Sequence, residues 1–418
     1  MADRNASDRV LSPWKDGAWC LIGAVIGYAV GFGFFMFSAN LFIEPMRAEF
    51  GWSSTQATFL PISSLVLAAM FPLSGKMADR FGPRLLAMAG LSGFALCFLL
   101  LATLPLTVTI LRIIAVVLGI CCAAAGAVPF SRAVVSWFQR DAGLALGLTG
   151  SGATLGGVLG VPLNAMIISE FGWRAAYMTM AALVLVIGLP FVAKFLLLSD
   201  GDERAPSSRQ GQEEGAAGAG SLPLSDPRFW LLGGAVTCSG LSIGIYLNHL
   251  QPILRESGFS LTSAAVLGSI FAAATFGGRI AAGFLLDRIF PLLVAAGCLS
   301  LAAVGAAIIP GAALPAMPVF GLALLLIGLA YGAEADFAAF FALRFFGLPR
   351  FSFTFGTLAM MIALALAIGG FLTARSADIH GNYRLAVALG PAGFACAAAA
   401  MLVLARLSAS MRRDAHRI

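Results

Sequence analysis

Apolar stretches of about 20 residues alternate with short polar connections along almost the whole chain. Twelve stand out, at 17–41, 56–75, 85–104, 107–131, 142–168, 173–197, 228–249, 262–285, 290–309, 315–342, 351–373 and 384–407. Each is long enough to cross a hydrocarbon core of ~30 Å. The runs are continuous rather than alternating, which predicts membrane helices and not strands. One stretch interrupts the pattern. Residues 199–227 are rich in Gly, Ser, Ala and charge and read as a flexible cytoplasmic linker with almost nothing to build a core from. The expected organisation is a six-helix bundle over 1–198, the linker over 199–227, and a second six-helix bundle over 228–418.

The two halves repeat. GKMADRFGPR at 75–84 returns in degenerate form as GFLLDRIFP at 283–291, each closing an apolar segment. Gly51-Trp-Ser with Thr55 returns as Gly258-Phe-Ser with Thr262, Gly147 as Gly356, and Gly172-Trp-Arg174 loosely as Gly381-Asn-Tyr-Arg384. The offsets of 207, 208, 209 and 209 describe one duplicated unit. Duplicated membrane halves with charge at matching places are a transporter pattern. The repeat predicts two bundles related by an axis along the membrane normal, with a central cavity between helices 1, 4, 7 and 10 and their neighbours.

Composition sharpens this reading. The chain is 60% hydrophobic and 11% charged, with a mean hydropathy of +0.93, which no soluble domain of this length matches. With the N-terminus in the cytoplasm, nineteen basic residues fall on inner segments against five on outer loops. The net charge of +6 then reflects topology and calls for no nucleic-acid partner. The expectation is a monomeric protein of the cell inner membrane with both termini cytoplasmic. The first segment is too long for a signal-peptide core and reads as a retained helix. All seven cysteines lie inside apolar segments without metal-ligand spacing, so no metal and no cofactor is expected. The 48 glycines suit close helix approach in lipid, and the run GLTGSGATLGGVLGVP at 147–162 reads that way rather than as a nucleotide loop, since no strand precedes it. No metalloprotease, nucleophile-elbow or Walker pattern supports an enzyme or ATP-driven transport.

Gly75, Asp79, Arg80, Gly82 and Arg84 fill the pattern G-x-x-x-D-R-x-G-x-R between the second and third segments. With twelve helices in repeated halves, this resembles the major facilitator superfamily over almost the whole chain. Four further motifs are similar to the monocarboxylate porter and oxalate–formate exchanger group. They are Asp16-Gly17-x-Trp19; Trp137-Phe138-x-Arg140 followed by Gly143-Leu-Ala-x-Gly147; Phe50-Gly51-Trp52-Ser53; and Phe171-Gly172-Trp173-Arg174. The resemblance implies secondary transport of a small organic monoanion, most simply with a proton, with export of an amphipathic compound or carboxylate exchange as alternatives. There are departures. The first segment reads Phe37-Ser-Ala-Asn40 where animal-type porters place a Lys, 351–373 lacks the basic residue of the oxalate type, and Thr275 stands where those porters place an Asp.

Arg279 in the eighth segment is the leading substrate-binding candidate. The resemblance places a carboxylate-binding Arg there, and the repeat sets Phe71 opposite it, so the scaffold does not demand the charge. A buried guanidinium costs at least ~2.5–3.5 kcal/mol unless it faces a cavity or partner. A carboxylate ligand would satisfy it, as would an ion pair with Glu334 or Asp336. Those two acids are about 200° apart on one helix, so a single one is expected to face the cavity. They are candidates for proton coupling, or for a gate with Arg288, Arg344 or Arg350. Asn248 and His249, at the outer end of the seventh segment, could donate to an anion or simply cap the helix. Tyr28 completes the substrate-binding set, and Asp287 and Arg288 join the signature residues as gating candidates. Arg112 lies near the outer end of the fourth segment, where it can snorkel.

Overall fold

A computed structural model describes residues 13–199, 223–311 and 316–415. Most of the expected linker, 200–222, lies outside the described residues, as do the N-terminal arm and residues 416–418. Among the described residues the chain is helical without strands, and twelve helices are long and apolar enough to span a membrane. These are α1 (Ala18–Phe50), α2 (Leu60–Phe81), α3 (Pro83–Thr103), α4 (Val108–Trp137), α5 (Ala142–Phe171) and α6 (Trp173–Phe195) in the first bundle. The second bundle holds α7 (Pro227–Glu256), α8 (Leu261–Arg288), α9 (Pro291–Gly311), α10 (Met317–Phe346), α11 (Leu348–His380) and α12 (Arg384–Ala415).

Several helices depart from a uniform α geometry where the sequence licenses it. Helix α1 passes through a π segment at Ala29–Gly33 and a 3-10 turn at Ala39–Phe42. Gly33 sits against the backbone of Ala153 and Gly156 in α5, an approach that a side chain would block. Helix α4 breaks at Ala125–Gly126 before resuming at Ala127. Helix α7 runs beyond its expected end at 249, with a non-helical His249 (φ −124°, ψ 19°) inside it. Pro252, three residues on, removes the backbone donor that would otherwise bond the carbonyl of Asn248.

The signature between α2 and α3 is not a loop. Gly75, Asp79 and Arg80 form the last two turns of α2, and Gly82 (φ 85°) alone makes the turn into α3. Only glycine occupies that conformation without strain. Arg84 follows in the first turn of α3, exposed. In the degenerate copy Phe290 stands at the place of Gly82, and the chain turns through an extended Ile289 (φ −117°, ψ 167°) instead.

The bundles meet along two seams, α2 against α11 and α5 against α8. A repeat operator that carries α2 onto α8 and α5 onto α11 exchanges these seams. Small residues let the backbones touch. A methyl at Gly75 would lie 2.6 Å from the Ser352 carbonyl carbon, and one at Gly283 would lie 3.0 Å from that of Gly143. Those four residues occupy equivalent places in the two halves. The seams therefore close tightly on the face that carries Asp79 and Asp287, called here the signature side.

Candidate functional site: a buried ion pair between two bundles

Arg279 projects from the middle of α8 toward α10, where its Nη1 lies 3.4 Å from Asp336 Oδ1. The side chains are 16% and 7% exposed, so the pair is largely removed from solvent. Its hydrogen bonding is incomplete. Arg279 Nε and Asp336 Oδ2 are buried without a hydrogen-bond partner among the described residues. The pair also reaches the other bundle. A methyl placed on Gly150 of α5 would sit 3.0 Å from Asp336 Oδ1 and 3.3 Å from Arg279 Cζ. A glycine there gives the guanidinium room at the bundle interface. Tyr28 in α1 and Tyr331 in α10 stand within electrostatic range of Arg279. Tyr28 is buried against Phe32 and Phe130, with ring centroids 5.1 and 5.7 Å away.

Glu334 is buried on a different face of α10, 2% exposed. It accepts a hydrogen bond from the Ser239 hydroxyl of α7, and its Oε2 has no partner among the described residues. The two acids thus part company around the helix as their i, i+2 spacing demands. The contacts formed by Asp336 and Glu334 run to Arg279 and Ser239; Arg344 instead lies over the Phe340 ring at 5.3 Å.

Asn248 and His249 do not join Arg279. They line a separate cavity of about 450 Å³ on the face opposite the signature side, with Asn40, Thr58, Ser64 and Gly370. His249 Nε2 is 2.9 Å from the Gly370 carbonyl, and its ring lies 5.5 Å from that of Tyr383. Arg112 is exposed near the start of α4.

On the signature side, Asp287 accepts hydrogen bonds from the backbone N–H groups of Gly143 and Leu144, both at 2.8 Å. It supplies from another bundle the acceptor that the first turn of α5 lacks. Asp79 accepts from the Ser352 hydroxyl of α11 at 2.5 Å and pairs with Arg132 of α4 at 3.4 Å. Arg80 and Arg288 lie over the rings of Phe81 and Phe284, 5.2 and 3.7 Å from the centroids. Sequence reasoning passed over Ser239, Gly150, Ser352 and Asn40. At the opposite face a repeated acid acts within each bundle instead of between them. Glu49 takes hydrogen bonds from Trp173 and Arg174 at 2.8 Å, while Glu256, 207 residues on, accepts from the Tyr383 N–H at 2.8 Å.

Two membrane-spanning six-helix bundles, sealed together at one face, with a cavity at the other and a charged pair buried between them, define the fold of a polytopic secondary carrier. The chain belongs to the Major Facilitator Superfamily, whose model matches residues 23–350. Among curated relatives, it is 31% identical to the probable sulfoacetate transporter SauU of Cupriavidus necator, over 59% of this chain and 59% of that protein. It is 27% identical to the fujikurins efflux protein of Gibberella fujikuroi, over 65% and 56%. It is 29% identical to human monocarboxylate transporter 1, over 41% and 34%. Each match spans less than two thirds of the relative's own length. The fold superposes on the proton:xylose symporter XylE at a TM-score of 0.70 and 12% identity, covering 93% of this chain and 95% of that one. It superposes on FucP in the outward conformation at 0.70 and 14%, covering 93% and 98%.

Proposed function

We propose that this protein takes up a small organic monoanion, a monocarboxylate, together with a proton, by alternating access across the cell inner membrane. In this reading it acts as a monomer with cytoplasmic termini, and the units 1–198 and 228–418, joined in sequence by 199–227, rock against one another. The observation that carries it is the Arg279–Asp336 pair, buried at the bundle interface with one donor and one acceptor unpartnered. A substrate carboxylate and Asp336 compete for one planar fork. When the substrate takes the guanidinium, Asp336 is left as a buried, unpaired carboxylate, a costly state that a proton relieves. Anion and proton therefore bind as a neutral couple, and the Arg279–Asp336 pair is restored once both have left. One cation in the site matches a monoanion better than a dianion.

The sulfoacetate and monocarboxylate names of two relatives support an acidic substrate, and the fujikurins relative supports export as a second reading. Flux into proteoliposomes separates them. With short-chain carboxylates from acetate to hexanoate, an inward proton gradient should drive accumulation, and collapsing it with an ionophore should abolish that accumulation. Extrusion of an amphipathic compound against its gradient, with no carboxylate flux in either direction, would refute the uptake reading.

A further inference from the structure

Asp141 is the last residue before α5, the place from which an aspartate ordinarily caps a helix by accepting from its second or third backbone N–H. Here it does not. Its side chain makes no capping bond, and its backbone (φ −102°, ψ 36°) is not in the extended conformation of a capping residue. The second and third N–H groups of α5 belong to Gly143 and Leu144, and Asp287 of α8 holds both. Asp141 Oδ2 is taken instead by the indole N–H of Trp14 at 2.8 Å. The Trp14 ring also packs edge-on against Phe138, with centroids 4.9 Å apart. Trp14 belongs to the short helical turn Pro13–Asp16 that precedes α1.

Two carboxylates thus stand near one helix N-terminus, within electrostatic range of each other, and the one bound there comes from the other bundle. The repeat does not ask for the nearer acid. Gly143 and Ser352 are 209 residues apart, and the same step from Asp141 leads to Arg350. When the bundles part on the signature side, α8 withdraws Asp287 from α5. The Gly143 and Leu144 N–H groups then lose their acceptor, and the first turn of a helix has no partner of its own to offer them. Asp141 is the acceptor already in place, and the like charge that competed with it has gone.

We propose that Asp141 and Asp287 exchange as caps of α5 during the transport cycle, with Trp14 holding Asp141 aside while Asp287 is bound. When the signature side opens, Asp141 turns to an extended conformation, leaves Trp14 and accepts from Gly143 and Leu144. The turn Pro13–Asp16 is then released from α5. The exchange keeps the helix end satisfied by a protein carboxylate in both states. Trp14 is a positioning residue that favours the closed state seen here, and Asp141 is one that favours the open state. The inference rests on the alternating-access reading, although not on the identity of the substrate.

Two experiments test it, and neither needs a substrate. Spin labels at Arg84 and Pro349, exposed on either bundle, report opening, while labels at Lys15 and Arg140, exposed on either side of the Trp14 contact, report its release. Asp287→Asn should lengthen the first distance and spread the second. An unchanged first distance overturns the seal assigned to Asp287, and the exchange with it. A lengthened first distance with a native second one overturns the exchange alone and leaves alternating access standing. The second experiment separates capping from charge. Trp14→Phe keeps a ring against Phe138 but removes the indole donor, so it should raise the open population about two- to tenfold. In that background Asp141→Ser and Asp141→Ala both remove the charge, and only serine can cap. The serine variant should hold an open-to-closed ratio about fivefold above that of the alanine variant. A contact that merely fastens the N-terminal turn predicts no difference between them. Equal ratios, or fewer open molecules in Trp14→Phe, overturn the proposal. Thermal unfolding checks that each variant is folded, and if the alanine variant is not, the Lys15–Arg140 distance decides.

Discussion

The seams α2–α11 and α5–α8 are one contact built twice, and their differences separate scaffold from chemistry. Gly75 against Ser352 corresponds to Gly283 against Gly143, and Gly356 against Phe71 corresponds to Gly147 against Arg279. In each pair of pairs the backbone approach is the same. The side chains are not. At one position the first seam has Phe71 and the second Arg279, and only the second has an acid, Asp336, to receive it. The duplicated fold is thus satisfied by an apolar side chain here, so the ion pair is an addition to the scaffold and not part of it. A second difference follows from where the helices begin. Helix α5 starts at Ala142, so Gly143 and Leu144 lie in its first turn with free N–H groups for Asp287. Helix α11 starts at Leu348, about one turn earlier in the repeat, so the position facing Asp79 already has its N–H committed to the helix. There the donor has to come from a side chain, and it is the Ser352 hydroxyl.

The first difference predicts the largest effect. Arg279→Ala should lose carboxylate transport by more than about a hundredfold. It should also destabilise the protein by about 3–5 kcal/mol, because Asp336 is stranded without its guanidinium. Arg279→Phe with Asp336→Ala recreates the Phe71 arrangement in the second seam. That double variant should melt close to the native protein and still not transport. Thermal unfolding in detergent beside proteoliposome flux reads both. A double variant as unstable as Arg279→Ala would show that the charge is structural after all, and the contrast between the seams would fail.

Twelve helices, their two bundles and the repeat were legible in the sequence because each depends on local hydrophobic length or on spacing within one chain. Arg279 was legible as a charge in an apolar run, and its partner was narrowed to Glu334 or Asp336. Choosing between them required the rotation of α10 relative to α8 and α7, which no local pattern encodes. Ser239, Gly150 and Ser352 were invisible for the same reason, since their roles arise from side chains brought close across 273 residues in the case of Ser352 and Asp79. The 3-10 turn after Ser38 carries no comparable local signal, whereas the break at His249 has one in Pro252. Sequence alone did not say how Asn248, His249, Tyr28 and Arg279 are arranged in depth; Asn248 and His249 line the cavity on the face opposite the signature side.

The helix-start difference predicts an intermediate effect. Asp287→Asn removes charge from two hydrogen bonds to a helix N-terminus, and each bond to a charged group is worth about 1.5–3 kcal/mol. Asp79→Asn affects one hydroxyl contact and a pair with Arg132 on a carboxylate that is 30% exposed, where water and screening reduce its worth. Both substitutions should open the signature side, and Asp287→Asn should do so more. Distances between spin labels at the exposed positions Arg84 and Pro349, one on each bundle, measure the shift. An equal or reversed order would mean that the α5 N-terminus is not what Asp287 holds.

Ser352→Ala should give the smallest shift, and its size tests why that serine is there. If the hydroxyl stands in for N–H groups that α11 has already used, its loss leaves Asp79 with its Arg132 pair and with access to water. The cost is then that of one partly exposed hydrogen bond, about 0.5–1.5 kcal/mol, which is roughly a two- to twelve-fold change in the population of open molecules. Ser352→Thr keeps the hydroxyl and should behave like the native protein if the added methyl is accommodated, so the pair of variants separates hydrogen bonding from steric fit at the Gly75 contact. Asp79→Asn in the Ser352→Ala background should add less than it does alone, because the Ser352 contact it would weaken is already gone. Full additivity in the label distances would place the partner of Asp79 elsewhere and leave the first seam without the side-chain donor that distinguishes it from the second.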